Sequence, residues 1–144
     1  MPPILAVRGL QTQFETEDYL VRAVDGLSYE LEAGKTLAIV GESGSGKSVH
    51  ALSILQLLPV PPAKIVGGEI LFRGTDILKM KPEDVRALRG NRIAMIFQEP
   101  MTSLNPVLRI GDQLAEGVIL HKKLSPKKAA AKAVDLMQKV GIPA

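Results

Sequence analysis

The runs Ile4–Phe14 and Ala23–Leu31 carry the mixed apolar and polar pattern of half-buried strands. Thr16-Glu17-Asp18 falls in the polar stretch between them, so a hairpin is expected. Ala33-Gly34-Lys35 reads as a tight turn into Thr36-Leu37-Ala38-Ile39-Val40, a short apolar run expected to be a buried strand. Val49 to Leu58 has the character of an apolar helix stopped by Pro59, and Pro61-Pro62 keeps the chain extended beyond it. Gly67-Gly68 leads into a further strand, Glu69-Ile70-Leu71-Phe72, which closes in a turn at Arg73-Gly74. Pro82-Glu83-Asp84 opens a short helix with acids where the helix dipole favours them, and Gly90 ends it. Ile93-Ala94-Met95-Ile96-Phe97 is apolar on both faces, as a strand inside a parallel sheet must be. Gln98 to Pro106 is a loop, and Ile110 to about Leu120 is helical. Ser125 is the expected N-cap of a last helix with Pro126 at its first position. Ala133, Leu136, Met137 and Val140 form one apolar stripe on it, and Gly141 terminates it.

Between the apolar run ending at Val40 and the helix beginning near Val49 lies Gly41-Glu42-Ser43-Gly44-Ser45-Gly46-Lys47-Ser48, a complete G-x-x-x-x-G-K-[ST] phosphate-binding loop. Strand, glycine loop and helix is the context in which that motif carries meaning. Gly41 lets the chain leave the strand in a conformation a side chain would oppose, and Gly44 and Gly46 let the backbone approach an anion. Successive N–H groups then form a nest at the positive end of the following helix. Lys47 adds a full charge for the β- and γ-phosphates, and the Ser48 hydroxyl is a ligand for Mg²⁺. Nucleoside triphosphate binding is the chemistry this pattern points to.

The 144 residues suffice for one domain with a core, and 46% of them are hydrophobic, as in a soluble globular protein. The chain has no Cys, which excludes disulfides and thiolate metal sites. It has no Trp and few aromatics, which weakens any base-stacking nucleic-acid surface. The net charge of +3 is partly gathered in Lys122, Lys123, Lys127, Lys128 and Lys132. A nucleic-acid or anionic-lipid patch and a solvated helix face are both open there, and the solvated face is the preferred reading. Met1-Pro2-Pro3 does not open a signal peptide, and no apolar run approaches the ~18 residues of a membrane span, so a cytoplasmic location is expected.

Gln98 follows the second apolar strand. If the two strands are parallel, it sits on the same sheet edge as the phosphates, at the carboxyl ends where ligands bind. Its amide can ligate Mg²⁺ and orient water, or it can be a turn glutamine with no ligand. Gly41–Ser48 together with Ile96-Phe97-Gln98-Glu99-Pro100-Met101-Thr102-Ser103-Leu104-Asn105-Pro106 resembles the nucleotide-binding subunit of an ATP-binding cassette (ABC) transporter. The stretch Phe97–Pro106, with Gly67-Gly68-Glu69-Ile70 and Lys139-Val140-Gly141-Ile142-Pro143, is similar to the oligopeptide/dipeptide import subfamily.

The resemblance implies an α/β fold of the P-loop NTPase class and ABC ATPase type. About residues 1–98 would form an N-terminal antiparallel β subdomain and a partial RecA-like core. About residues 99–144 would form the Q-loop and the start of a helical subdomain. It implies ATP and Mg²⁺ as cofactors. Gly41, Glu42, Ser43, Gly44, Ser45, Gly46, Lys47 and Ser48 would hold ATP, with Val49 just beyond. Gln98 would match the Q-loop glutamine, touching Mg²⁺ and the hydrolytic water and coupling the site to the membrane subunits. Tyr19 is the first candidate to stack on adenine and Phe14 the second; the alternative for Tyr19 is a half-exposed hairpin aromatic. Met101 to Asn105 would lie near the surface that receives a coupling helix.

The partners implied are transmembrane permease subunits, a second ABC ATPase subunit and, indirectly, a substrate-binding protein, with no nucleic acid. The location implied is the cytoplasmic face of the cell membrane. The sequence holds no L-S-G-G-Q signature and no Walker B strand ending in Asp-Glu, and His50 and His121 fall in the wrong places for the switch histidine. Both histidines are expected to be structural or surface residues. The chain is therefore expected to be the N-terminal half of a larger ATPase that drives peptide import. Alone, it is expected to bind ATP weakly and to turn it over poorly, since one electrostatic group is worth ~10²–10³ in rate. The alternatives are a non-hydrolysing nucleotide-binding regulatory module, an ABC-type DNA-repair ATPase and a small-molecule kinase.

Overall fold

The computed structural model describes residues 2–98 and 103–142. It divides into two compact units, Met1–Arg86 and Ala87–Ala144. The first is built on a four-stranded antiparallel sheet. β1 (Leu5–Glu15) and β2 (Leu20–Leu31) form the expected hairpin, and β3 (Ala63–Phe72) pairs with the other edge of β1. A two-residue β4 (Thr75–Asp76) completes the order β2-β1-β3-β4. Arg73 and Gly74 join β3 to β4 with positive φ at both positions, the geometry of a type I′ turn.

β1 breaks the strict period of two. Ala6 and Val7 are buried, then Leu10 and Thr12, because an irregularity between Val7 and Leu10 shifts the pairing register. Gly9, at φ 56, takes up that bend. Helix α1 (Lys47–Ile54) covers the sheet. Its Ser53 hydroxyl lies 3.0 Å from the buried Thr12 hydroxyl, so two polar groups in the core satisfy one another. Leu10, Ile70 and Ile77 are fully buried in this unit, with Val24 and Ile54 nearly so.

α1 ends at Ile54, before the expected stop at Pro59. Gln56 takes a left-handed conformation at φ 49, which turns the chain so that its side chain donates to the Ile77 carbonyl at 2.8 Å. A tertiary hydrogen bond therefore ends the helix before proline can. β3 begins earlier than expected, at Ala63, because the stretch after Pro62 finds its ladder partners on β1.

A 3₁₀ turn, Ile77–Lys79, is capped by Asp76, whose Oδ1 accepts from the Leu78 N–H at 3.1 Å and the Ile70 N–H at 3.3 Å. Burial alone would raise the Asp76 pKa, but the Lys79 ammonium at 3.1 Å and these two N–H groups hold it below the usual carboxylate range. A depressed folded pKa stabilises fully above the unfolded value of about 4, and that stability is lost as pH falls through the folded value. Asp76→Ala should therefore cost about 1–3 kcal/mol at pH 6, by leaving partly buried N–H groups unpaired. The gap to wild type should narrow as pH falls below the unfolded value of about 4. Urea unfolding of the chain across that range checks this, and a pH-independent gap would contradict it.

Two expected strands form no ladder. Thr36–Val40 takes no regular secondary structure, and Val40 is 90% exposed. Ile93–Phe97 makes one parallel bridge, Arg89 to Ile93, and Ile96 is 97% exposed. The apolar pattern is correct for buried parallel strands, but a parallel ladder needs neighbours delivered by crossover connections. The described residues supply antiparallel ladders to β1 and β3, and to these two segments no more than the single bridge at Ile93.

α2 (Pro82–Leu88) follows, with Glu83 and Asp84 in its first turn. In the second unit, α3 (Ile110–Lys122) and α4 (Pro126–Lys139) pack as a helical hairpin. The buried contacts include Ala115, Ala129 and Ala133, small residues that let the helices approach closely. Ser125 stands at the N-cap, yet its side chain makes no capping bond. α4 ends in a Schellman motif. Ile142 N–H reaches the Met137 carbonyl at 2.9 Å, and Gly141, at φ 80, reaches Gln138 at 3.0 Å. Only Ala133 of the expected α4 stripe is fully buried; Val140 is 73% exposed.

Candidate phosphate-binding site

The first unit presents Gly41–Ser48 as a loop that turns into α1. Ser45 N–H bonds back to the Glu42 carbonyl at 3.2 Å, which folds the loop on itself. Gly44 and Gly46 have φ of 82° and 86°. Gly46 is the N-cap of α1, and a Cβ there would overlap the Ala23 carbonyl oxygen of β2. At Gly44 the same added atom meets open space. The two glycines thus answer different demands: Gly44 a backbone conformation, Gly46 a conformation and a close approach to the sheet.

The first helical hydrogen bond runs from His50 N–H to the Gly46 carbonyl at 2.8 Å. The first-turn N–H groups of Lys47, Ser48 and Val49 precede it and have no partner within the helix. No side-chain oxygen caps this end, and no acid occupies its first turn. Its partial positive charge is therefore uncompensated. Lys47 adds to it. Its ammonium lies 2.6 Å from both the Gly41 and Glu42 carbonyls and 3.2 Å from Ser45 Oγ. A lysine held by its own loop's oxygens is already aimed across the loop's mouth. Ser48 is exposed one residue further on, so its hydroxyl is accessible as a cation ligand. The donor set suits a polyphosphate carrying a hydrated divalent cation.

Beside the loop, a cleft of about 460 Å³ opens between β2 and Val40–Gly41. Asp25, Ser45, Gly46, Lys47 and His50 line it. Its size is in the range of small-molecule sites. His50 is buried, as expected of a structural residue; His121 sits at the end of α3.

Tyr19 stands in the β1–β2 turn, where its backbone pairs with Thr16, and its side chain is 60% exposed. It does not line the cleft. Phe14 is half-buried on β1, opposite Val21. Gln98 belongs to the second unit and is exposed at the start of its loop; Glu99 to Thr102, including the start of the expected coupling surface, lie outside the described residues. The structure thus brings Gly41 through Val49 together in one unit and places Gln98 in the other.

Gln113 on α3 escaped the sequence reading. Its Oε1 accepts from Asn105 N–H at 2.8 Å, and its Nε2 donates to the Asn105 and Leu108 carbonyls at 2.9 and 3.1 Å. Asn105 Oδ1 accepts from Val107 N–H at 3.0 Å. One amide side chain therefore pins the second half of the Gln98–Pro106 loop to α3. Its only sequence signal was a polar residue in the first turn of a helix, which most helices share.

Among the described residues, no group of three His, Asp or Glu side chains could hold a metal ion, and no helix is long and apolar enough to cross a membrane. The sequence profile of the ABC transporter family matches residues 24–144. The chain is 50% identical, over 96% of its length and 42% of the relative's, to a protein of Sinorhizobium fredii described as a probable peptide ABC transporter ATP-binding protein. It is 47% identical, over 99% of its length and 43% of the relative's, to the dipeptide transport ATP-binding protein DppD of Bacillus subtilis. The chain spans only about two fifths of the length of each of these two relatives. Among solved structures it resembles a dimeric bacterial ABC transporter cassette at a TM-score of 0.78 and 18% identity, over 93% of this chain and 56% of that one. The same cassette in a post-hydrolysis state bound to ADP and Pi gives 0.75 at 17% identity, with the same coverage.

Proposed function

We propose, from the premise that this chain belongs to the ABC transporter family, that it is part of an ATP-binding subunit whose loop Gly41–Val49 holds the phosphates of ATP. The observation that carries this reading is the uncapped N-terminus of α1 behind a left-handed Gly46, with the Lys47 ammonium across the loop. Glu42 to Ser48 cradle the phosphates, Lys47 balances their charge, and Ser48 with Gln98 would ligand Mg²⁺. That cation supplies charge neutralisation at the phosphates when bound. Gln98 has the further role of orienting water and relaying the nucleotide state to a membrane partner. Tyr19 is the proposed adenine contact. About residues 1–98 serve as β subdomain and partial core, and about 99–144 as Q-loop and the beginning of the helical subdomain.

The names of the peptide and dipeptide transport relatives support import of di- or oligopeptides as the process served. They also support permease subunits as partners, at the cytoplasmic face of the membrane. The dimeric state of the structural neighbour supports a second ATPase subunit, and its ADP-bound state supports ATP as the nucleotide.

Titration of the chain with Mg·ATP, followed by backbone amide NMR, tests the reading. Weak saturable binding is expected, with the largest shifts between Glu42 and Val49. Shifts spread evenly over the chain, or none, would refute it.

A further inference from the structure

His50 lies on α1 three residues after Lys47, so it sits one turn below it on the same face. Only 6% of it is exposed. Its Nδ1 is 3.3 Å from the Lys47 carbonyl oxygen, and its Nε2 is 2.6 Å from the Tyr29 hydroxyl on β2. The two rings meet edge to face, with centroids 5.3 Å apart at 76°. A carbonyl only accepts, so Nδ1 carries the proton. A neutral ring then offers only a lone pair at Nε2, and the Tyr29 hydroxyl must donate.

The surroundings suit those roles. His50 is almost fully buried, where an uncharged ring costs least, and burial pushes the Tyr29 phenol up to about 12, so its hydroxyl keeps a proton to donate. The chain of donors therefore runs one way, from β2 through the imidazole to the backbone of Lys47. That backbone belongs to the first residue of α1, a helix end that has no side-chain cap of its own.

We propose that Tyr29 and His50 are positioning residues for polyphosphate: their hydrogen-bond chain from β2 to the Lys47 carbonyl aims the first-turn N–H groups of α1 and the Lys47 ammonium. The inference rests on the nucleotide-binding reading. Its physical basis is that electrostatic sites act through preorganised donors, and small misplacements are costly. A second tie between α1 and the sheet supplies the control. Thr12 and Ser53 meet at 3.0 Å near the other end of the helix, six residues beyond Lys47.

The test uses the whole chain, Mg·ATP as probe, and ¹⁵N NMR of the histidine rings alongside the backbone amides. The chain's two histidines make the ring spectrum simple, and His121 in the second unit is an internal reference. Wild-type His50 should show a protonated Nδ1 and a lone-pair Nε2, and its ring signals should move with Mg·ATP while those of His121 stay. Tyr29→Phe should weaken binding about fivefold, the scale of one lost hydrogen bond. Thr12→Val removes that tie and keeps the bond from Ser53 Oγ to the Val49 carbonyl at 2.7 Å; it should lower the melting temperature at least as much, yet leave affinity within about twofold. If Thr12→Val weakens binding as much as Tyr29→Phe, or if His50 is silent while the loop amides shift, positioning through this pair is wrong. If no loop amide shifts at all, the nucleotide reading itself falls and takes this inference with it. Should Tyr29→Phe fail to fold, the wild-type ring signature and its response to Mg·ATP decide alone.

Discussion

Gly46→Ala should destabilise the chain by about 2–5 kcal/mol, the combined cost of a side chain in the left-handed region and of overpacking. Two facts about one position produce that size. Gly46 sits at φ 86, and its Cβ would strike the backbone carbonyl of Ala23 in β2. Neither partner is the far end of a flexible side chain, so relief requires moving α1 off the sheet. Gly44→Ala separates the two contributions. Gly44 shares the positive φ, at 82°, but an added Cβ meets nothing within 4 Å. It should cost only about 1–2 kcal/mol. Urea unfolding followed by circular dichroism measures both. Equal losses would mean that the contact with Ala23 carries no weight and that α1 seats differently on β2.

Lys47→Ala should weaken Mg·ATP binding between about tenfold and about a hundredfold, the range for losing a charge-assisted hydrogen bond. Stability should change little. The ammonium's present partners, the Gly41 and Glu42 carbonyls and Ser45 Oγ, are exposed and can turn to water. The signature is thus affinity lost without unfolding, the reverse of Gly46→Ala. Calorimetric titration of wild type and variant, each with its own melting curve, reads both quantities. A variant that binds as tightly as wild type would place the phosphates elsewhere, and a variant that unfolds would make Lys47 a structural residue.

The local elements were legible where a side-chain period and a breaker agreed. The β1–β2 hairpin, the Arg73-Gly74 turn, α2, and the Gly141 stop of α4 all follow from residues within a few positions of one another. The phosphate loop was legible for the same reason: its donors are consecutive backbone amides, so their convergence is a property of eight adjacent residues. Boundaries set by distant partners were not. Gln56 ends α1 by bonding to Ile77, and β3 lengthens because β1 offers it a ladder. Thr36–Val40 and Ile93–Phe97 have the composition of buried strands, but hydrogen-bonded neighbours, not composition, make a ladder.

What the sequence determined by itself, then, is an anion-binding loop between an apolar run and a helix, together with the residue types that give it charge and a cation ligand. Periodicity and backbone freedom are encoded locally, and they suffice for that. Only the tertiary structure decided which second residue each loop atom meets: Ala23 against Gly46, Tyr29 through His50 to the Lys47 carbonyl, Gln113 on Asn105. The Ala23–Gly46, Tyr29–His50 and Asn105–Gln113 pairings join positions 8 to 23 residues apart, and no local pattern fixes them. Sheet register and helix packing set them: a close backbone approach at Gly46, a part-buried hydrogen bond at His50, where polar groups must find partners, and an exposed amide clasp at Gln113.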